Sequence, residues 1–179
     1  MILHLKLPNH AEAIAFNRKR WAEVHADVEL AASPNRIETN AWGQIIMTPP
    51  PGGSHCRLQF KIARELDRQL GGEAFTECPV STVDGVRATD AAWYSHERYR
   101  QVSGQLAFEI APEICVAVLS PRNTQAELEA KRQLYFAAGA IECWTCDLEG
   151  RMTYYDHQAP NTPMPHSNLC PNFPNTIND

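Results

Sequence analysis

Apolar residues recur along this chain with two different periods. In one segment they stand three or four residues apart, as on one face of a helix, and in several others they form short or alternating runs typical of strands. Strands interleaved with amphipathic helices predict an α/β sandwich in which a mixed central sheet is flanked by helices. The predicted helices cover about 55–70 and 124–138, and the predicted strands about 74–82, 86–94, 114–119, 141–147 and 152–155.

The N-terminal part predicts a further helix and a hairpin. Asn9 followed by Glu12 fits a capping box, which predicts a helix over about residues 9–25. Ser54, which follows a run of prolines and glycines, is a suitable N-cap for the next helix. Between the two helices lie a predicted hairpin, 36–40 with 44–48, and a Pro/Gly loop, 49–53.

Composition and length indicate an ordinary globular chain. With 179 residues, 44% hydrophobic and 21% charged, we expect one domain over residues 1–156. The segment 157–179 contains five prolines and several asparagines, and this predicts an extended arm or disordered tail. No apolar run approaches the ~20 residues that span a bilayer, and residues 1–6 lack the pattern of a secretory signal. We therefore expect a cytoplasmic protein that does not enter a membrane.

Charge and cysteine usage narrow the possible functions. A net charge of −5 gives no global attraction to nucleic acid, so DNA binding would need a local basic face. Six cysteines are scattered along the chain, and Cys143 and Cys146 form the one close pair. A zinc or redox role is disfavoured, because no second pair lies at ligand spacing and positions three apart on a strand face opposite sides. We interpret these cysteines as structural.

Two residues stand out as candidates for chemistry. Asp90 interrupts an otherwise apolar strand, and a buried carboxylate needs a partner such as a metal or an arginine. The alternatives are a salt bridge to Arg87 or an edge strand facing water. Lys131 lies at helical spacing from Leu128 and Tyr135, which predicts that it faces inward. It is either a lysine that extends its ammonium group to solvent or one that reaches a carboxylate cluster or a phosphate.

Weaker signals accompany them. Glu38 in the hairpin and His55 at the start of a helix are surface residues on their own evidence. A basic stripe recurs on one face of the helix 55–70, and it is either solvated surface or a track for DNA phosphates. The stripe consists of Arg57, Lys61, Arg64 and Arg68.

Several sequence blocks form a specific pattern through their order and spacing. The blocks are Arg36-Ile37-Glu38, Pro49-Pro50-Pro51-Gly52-Gly53-Ser54-His55, Val86-Arg87-Ala88-Thr89-Asp90, Pro112-Glu113-Ile114-Cys115-Val116-Ala117-Val118-Leu119-Ser120-Pro121, Lys131 with Leu134 and Tyr135, Ala138-Gly139, and Glu142-Cys143-Trp144. Taken together, these blocks resemble a known family, the Uma-two family of restriction-endonuclease-like proteins in the PD-(D/E)XK superfamily. The resemblance covers about residues 34–156.

The resemblance implies a metal-dependent nuclease with one ligand missing. It implies that Asp90 and a glutamate at position 117 hold Mg²⁺ or Mn²⁺, with the carbonyl of Val118 as a further ligand and Lys131 beside the reacting phosphate. Here position 117 is alanine, so Asp90 is left as a lone strong ligand for an ion that prefers six oxygens. The alanine is either an engineered knockout, which an isolated change in an intact motif favours, or the mark of a natural pseudonuclease.

The expected function follows from this pattern. The resemblance implies a DNA endonuclease of the PD-(D/E)XK type whose activity is lost or impaired by Ala117, and it implies a homodimer because double-strand cutting needs two sites. In the intact site Glu38 would serve as an additional acid, and His55 would orient water or phosphate. The alternative is a non-enzymatic protein that uses the same fold to bind DNA or a partner.

Overall fold

The computed structural model describes residues 9–177. The start of the chain, from which the absence of a secretory signal is expected, lies outside the described residues. The described chain forms a five-stranded sheet of order β3-β4-β5-β6-β7 and a separate two-stranded hairpin, β1-β2. The strands are β1 Arg36–Thr39, β2 Ile45–Thr48, β3 Glu73–Thr82, β4 Gly85–Tyr94, β5 Ile114–Val118, β6 Glu142–Cys146 and β7 Met152–Asp156.

The large sheet is mixed, as the sequence predicts. β5 and β6 run parallel, whereas every other neighbouring pair in the sheet runs antiparallel. The parallel pair is the one that the sequence separates by a predicted helix, because a parallel crossover needs a long connection. The helices are α1 His10–Ala26, α2 Val28–Ala31, α3 Gly53–Leu70, α4 His96–Val102 and α5 Gln125–Ala137.

Helix boundaries follow local capping with two corrections. The capping box between Asn9 and Glu12 at the start of α1 is confirmed. The predicted N-cap Ser54 is wrong: α3 begins two residues before His55, and its N-cap is Gly52, which supplies no side-chain hydrogen bond. The short helix α4 is not among the helices predicted from the sequence, because it has too few apolar positions to show a helical period.

Two apolar layers cover the opposite faces of the sheet. Leu58, Ile62 and Leu66 of α3 pack with Trp144 on one face, and Tyr135 of α5 packs on the other. The two cysteines of β6 divide between these layers, Cys143 in the layer with Tyr135 and Cys146 in the layer with α3. All six cysteines are free thiols, and the structural interpretation of this pair stays a prediction.

The C-terminal segment is not a loose arm, which corrects the expectation for residues 157–177. Cys170 and Phe173 are buried against Trp144 in the same core. Backbone hydrogen bonds join the segment to β7, among them Met164 N–H to the carbonyl of Tyr154 at 2.9 Å. Prolines interrupt regular structure, but they do not prevent the segment from covering the edge strand of the sheet.

Candidate functional site

The site lies where β4 and β5 separate. Their ladder ends at the pair of Ala91 and Val116, before the end of β5. By the same register Asp90 faces Ala117, one residue beyond this last pair. The freed backbone N–H of Val118 donates instead to Asp90 Oδ2 at 2.7 Å. A carboxylate therefore replaces the next strand partner, which explains why an acid can stand in an apolar, internal strand.

Both carboxylate oxygens of Asp90 are surrounded by donors. Arg36 Nη2 donates to Oδ1 at 2.5 Å, and Gln59 Nε2 lies 3.3 Å from the same oxygen. On the other oxygen, His55 Nε2 lies at an ion-pair distance of 3.6 Å. The same ring nitrogen is 3.1 Å from the carbonyl of Val118. The neutral imidazole therefore carries its proton on Nε2 and donates it to that carbonyl.

These neighbours set the charge of the site. Burial raises the pKa of Asp90, but His55 and Arg36, with a contribution from Lys131, outweigh burial and lower this pKa from 3.8 to about 2. The hydrogen bond and charge of Asp90 raise the pKa of His55, against the opposing effect of burial. His55 Nδ1 is buried and has no hydrogen-bond partner among the described residues. Asp90 is thus ionised at neutral pH.

Glu38 forms a second buried carboxylate beside the first. Its Oε1 accepts a hydrogen bond from the backbone N–H of Ala88 at 2.7 Å and lies 3.3 Å from Lys131 Nζ. Arg87 Nη1 is 3.8 Å from its Oε2. Glu38 is therefore not a surface residue, and it anchors the hairpin to β4. Lys131 reaches inward to this carboxylate while 31% of its side chain stays exposed.

An open cleft of about 680 Å³ joins these groups. All six candidates for catalysis or metal binding contribute to its walls, together with the Pro/Gly loop 49–53 and the loop 120–123. Its ionisable lining carries more positive than negative groups even with a neutral histidine. The charged and titratable residues are Arg36, Arg122, Lys131 and His55 against Glu38 and Asp90.

A family comparison connects this cleft to known proteins. The sequence profile of Uma2, described as "Putative restriction endonuclease", matches residues 22–161. This chain belongs to the Uma2 family. The resemblance drawn from the sequence blocks is therefore confirmed, and the match covers the hairpin, the cleft and all the strands of the sheet.

The fold agrees with that of a solved relative. The crystal structure of "a putative nuclease belonging to DUF820" from Anabaena variabilis is similar over 75% of this chain and 83% of its own, with a TM-score of 0.60. At 21% identity the likeness shows the fold alone, and it confirms the expected nuclease-like sandwich. No curated protein matches the chain. In the part of the chain that the structure describes, no helix is both long and apolar enough to cross a membrane.

The residues around Ala117 can be compared with the ligands that the expected Mg²⁺ or Mn²⁺ would need. Ala117 offers no donor, and beside it lies a small, mainly apolar cavity of about 20 Å³ that is also lined by Lys131. The oxygens of Asp90 already accept from Arg36 and the backbone, and the carbonyl of Val118 accepts from His55. Among residues 9–177, no three His, Cys, Asp or Glu side chains converge as ligands. The residues present therefore do not fit Mg²⁺ or Mn²⁺.

Sequence reasoning missed three polar residues around Asp90: Arg36 and Gln59 contact its carboxylate, and Glu77 contacts both of them. Arg36, Gln59 and Glu77 come from a hairpin, a helix and a strand far apart in the chain. The signal for Arg36 was its position directly before Ile37-Glu38, in a block already singled out. The salt bridge from Asp90 to Arg87 does not form; Arg87 instead contacts Asp84 at 2.5 Å.

The basic stripe of α3 lies outside the cleft. None of its four residues belongs to the cleft lining, which takes from α3 only its first turn. Arg68 forms an ion pair of 2.5 Å with Glu65, and Arg64 stands over the ring of Phe60 at 5.6 Å. The stripe is a separate surface, and a role in DNA binding stays a prediction.

Proposed function

We propose that this chain binds DNA in the cleft and cleaves it poorly or not at all. The observation that carries the proposal is the state of Asp90: its oxygens are engaged by Arg36 and Val118, and Ala117 supplies no second carboxylate across the strand gap. A nuclease that activates water with a divalent ion needs open carboxylate oxygens for that ion. The chain has a cleft in which DNA can bind, but it lacks the open carboxylate oxygens that such an ion needs.

Electrostatics support phosphate binding in the cleft. The whole chain carries a net charge of −5, so it has no global attraction for a polyanion and binding needs a local group of cations. The cleft concentrates cationic groups from β1, α5 and the loop before α5, at Arg36, Lys131 and Arg122. Cationic side chains in a concave site attract phosphates more strongly than the same charges spread over a surface.

The start of α3 adds to this field. Gly52, Gly53, Ser54 and His55 all line the cleft, and Gly52 provides no side-chain cap for the helix. A Cβ built on Gly52 or Gly53 would meet nothing within 4 Å, so a ligand can approach this backbone. The first N–H groups and the positive end of an 18-residue helix therefore face the same space as the cationic side chains.

Lys131 is the side chain best placed to contact a phosphate. Its ammonium group is 3.3 Å from Glu38, and almost a third of its side chain is exposed. The pairing with Glu38 fixes the ammonium group at the wall of the cleft without burying it. In this proposal Lys131 neutralises a phosphate of bound DNA, whereas Glu38 positions the lysine and the hairpin.

The experiment compares two lysine variants by fluorescence anisotropy with a labelled DNA duplex. Lys131→Ala should weaken binding several-fold and reduce the slope of log affinity against log salt by about 0.9, the value for one lost phosphate contact. Lys19→Ala is the matched control, because Lys19 is exposed on α1 and does not line the cleft. If the two variants have the same affinity and the same salt slope, DNA does not bind in the cleft.

Cleavage is assayed with the same proteins. With Mg²⁺ or Mn²⁺, we expect the unaltered chain to leave linear and plasmid DNA intact or to cut them slowly. Rapid cleavage that Lys131→Ala abolishes would show an active nuclease and overturn the inactive part of the proposal. The expected homodimer is tested by light scattering with and without a duplex. Two chains are expected because each chain has one cleft and a duplex has two strands to cut.

A further inference from the structure

Two carboxylates from neighbouring strands converge on the same guanidinium group. Arg36 Nη2 donates to Asp90 Oδ1 at 2.5 Å and also to Glu77 Oε1, and Arg36 Nε donates to Glu77 Oε2 at 2.6 Å. Gln59 Nε2 contacts both carboxylates as well. One cation and one amide thus bridge the two acids, and the single positive charge of the arginine is shared between two negative charges.

The backbone brings Glu77 to this position at a conformational cost. The register pairs Thr76 with Ala91 and Cys78 with Thr89, so Glu77 lies opposite Asp90. Glu77 has a φ of 53°, and among residues 9–177 it is the one non-glycine residue with a positive φ. Such a conformation persists only where surrounding interactions enforce it, and it is typical of functional sites.

We propose that Arg36 is the resident cation of the cleft and takes the part that a divalent metal plays between two carboxylates. The Arg36 side chain lines the cleft, and its Nη1 group takes part in none of the bonds to Glu77 and Asp90. A guanidinium ion cannot be deprotonated at working pH and pairs well with phosphate oxygens. This inference rests on the proposed DNA binding and makes that binding independent of metal.

Removal of the arginine should expose a cation site in its place. In Arg36→Met, the carboxylates of Asp90 and Glu77 lose their shared partner and stand close enough to hold one divalent ion. We expect Mn²⁺, titrated by calorimetry, to bind this variant at least tenfold more tightly than the unaltered chain. Arg36→Met/Glu77→Gln is the matched control, and it should lose that gain because one of the two carboxylates is gone.

A second experiment uses the unaltered protein and needs no variant. Its melting temperature should not change by more than about 1 °C on adding Mn²⁺ or EDTA, because no ion binds its folded state. Its affinity for a DNA duplex should be equal, within twofold, in EDTA and in Mg²⁺ at matched ionic strength. Arg36→Lys keeps the positive charge but loses the planar fork that bridges the two acids, and it should bind DNA more weakly than the unaltered chain.

Separate outcomes distinguish this inference from the proposed function. A protein that binds no DNA but shows the Mn²⁺ gain in Arg36→Met would refute the DNA proposal and keep the resident cation. The inference itself is overturned if the unaltered chain binds Mn²⁺ as tightly as Arg36→Met does. It is equally overturned if DNA binding requires Mg²⁺.

Discussion

The buried pair of Arg36 and Asp90 gives the sharpest test of the structure. Their side chains are 16% and 8% exposed, and the shortest distance between their charged atoms is 2.5 Å. Arg36→Met removes the positive partner and leaves a buried carboxylate with weaker compensation, which costs about 3–5 kcal/mol. For a chain of this size the melting temperature should fall by about 6–20 °C.

The dependence of this loss on pH follows from the pKa of Asp90. In the folded protein this pKa is lowered from 3.8 to about 2. The group therefore contributes stability above its unfolded pKa, worth about 2 kcal/mol, and loses it as pH falls through about 2. In Arg36→Met burial is less opposed, so the pKa of Asp90 should rise. The difference in unfolding free energy between the two proteins should then narrow as pH falls from about 5.

The assay is urea unfolding at neutral and acidic pH of four proteins: the unaltered chain, Arg36→Met, Asp90→Asn and the double variant. Asp90→Asn keeps an oxygen that can accept from Val118. The double variant should be more stable than the sum of the two single losses predicts, because neither partner is left charged and buried. A loss below about 1 kcal/mol in Arg36→Met, or one that does not change with pH, would refute the reasoning.

Three further outcomes are expected. Ala117→Glu should gain thermal stability on adding Mn²⁺ and should cut DNA, with Ala117→Glu/Lys131→Ala as the inactive control. If Ala117→Glu shows neither stabilisation by a metal nor cleavage, there is no metal site at this position. Glu142→Ala should lower the free energy of unfolding by about 3 kcal/mol and make the C-terminal segment sensitive to protease, because this fully buried carboxylate accepts from Ser167 and from two backbone N–H groups of the segment. An unchanged rate of proteolysis would show that Glu142 does not hold the segment in place. Changing Arg57 and Lys61 together to Ala should lower the salt slope of DNA binding only if the α3 stripe contacts phosphates, and an unchanged slope would exclude the stripe.

Local patterns were enough to predict most elements of the fold. The apolar spacing of Leu58, Ile62 and Leu66 predicted α3 and its buried face, and both are confirmed. Apolar runs predicted the strands of the sheet to within one or two residues. These predictions succeeded because helix and strand periods reflect burial on one face, which neighbouring residues already encode. The tail was wrong because its composition hides the few apolar residues, such as Phe173, that pack into the core.

The sequence by itself determined most of the elements that form, which family the chain belongs to, and that position 117 lacks an acid. It also singled out Asp90 and Lys131, because a charge among apolar positions is visible without a structure. Only the tertiary structure decided which residue pairs with Asp90. Arg36 is 54 positions away in the chain, whereas the candidate considered from the sequence was the neighbouring Arg87. Ion pairs depend on the distance between atoms in space, and a pattern of residue types along the chain does not contain that distance.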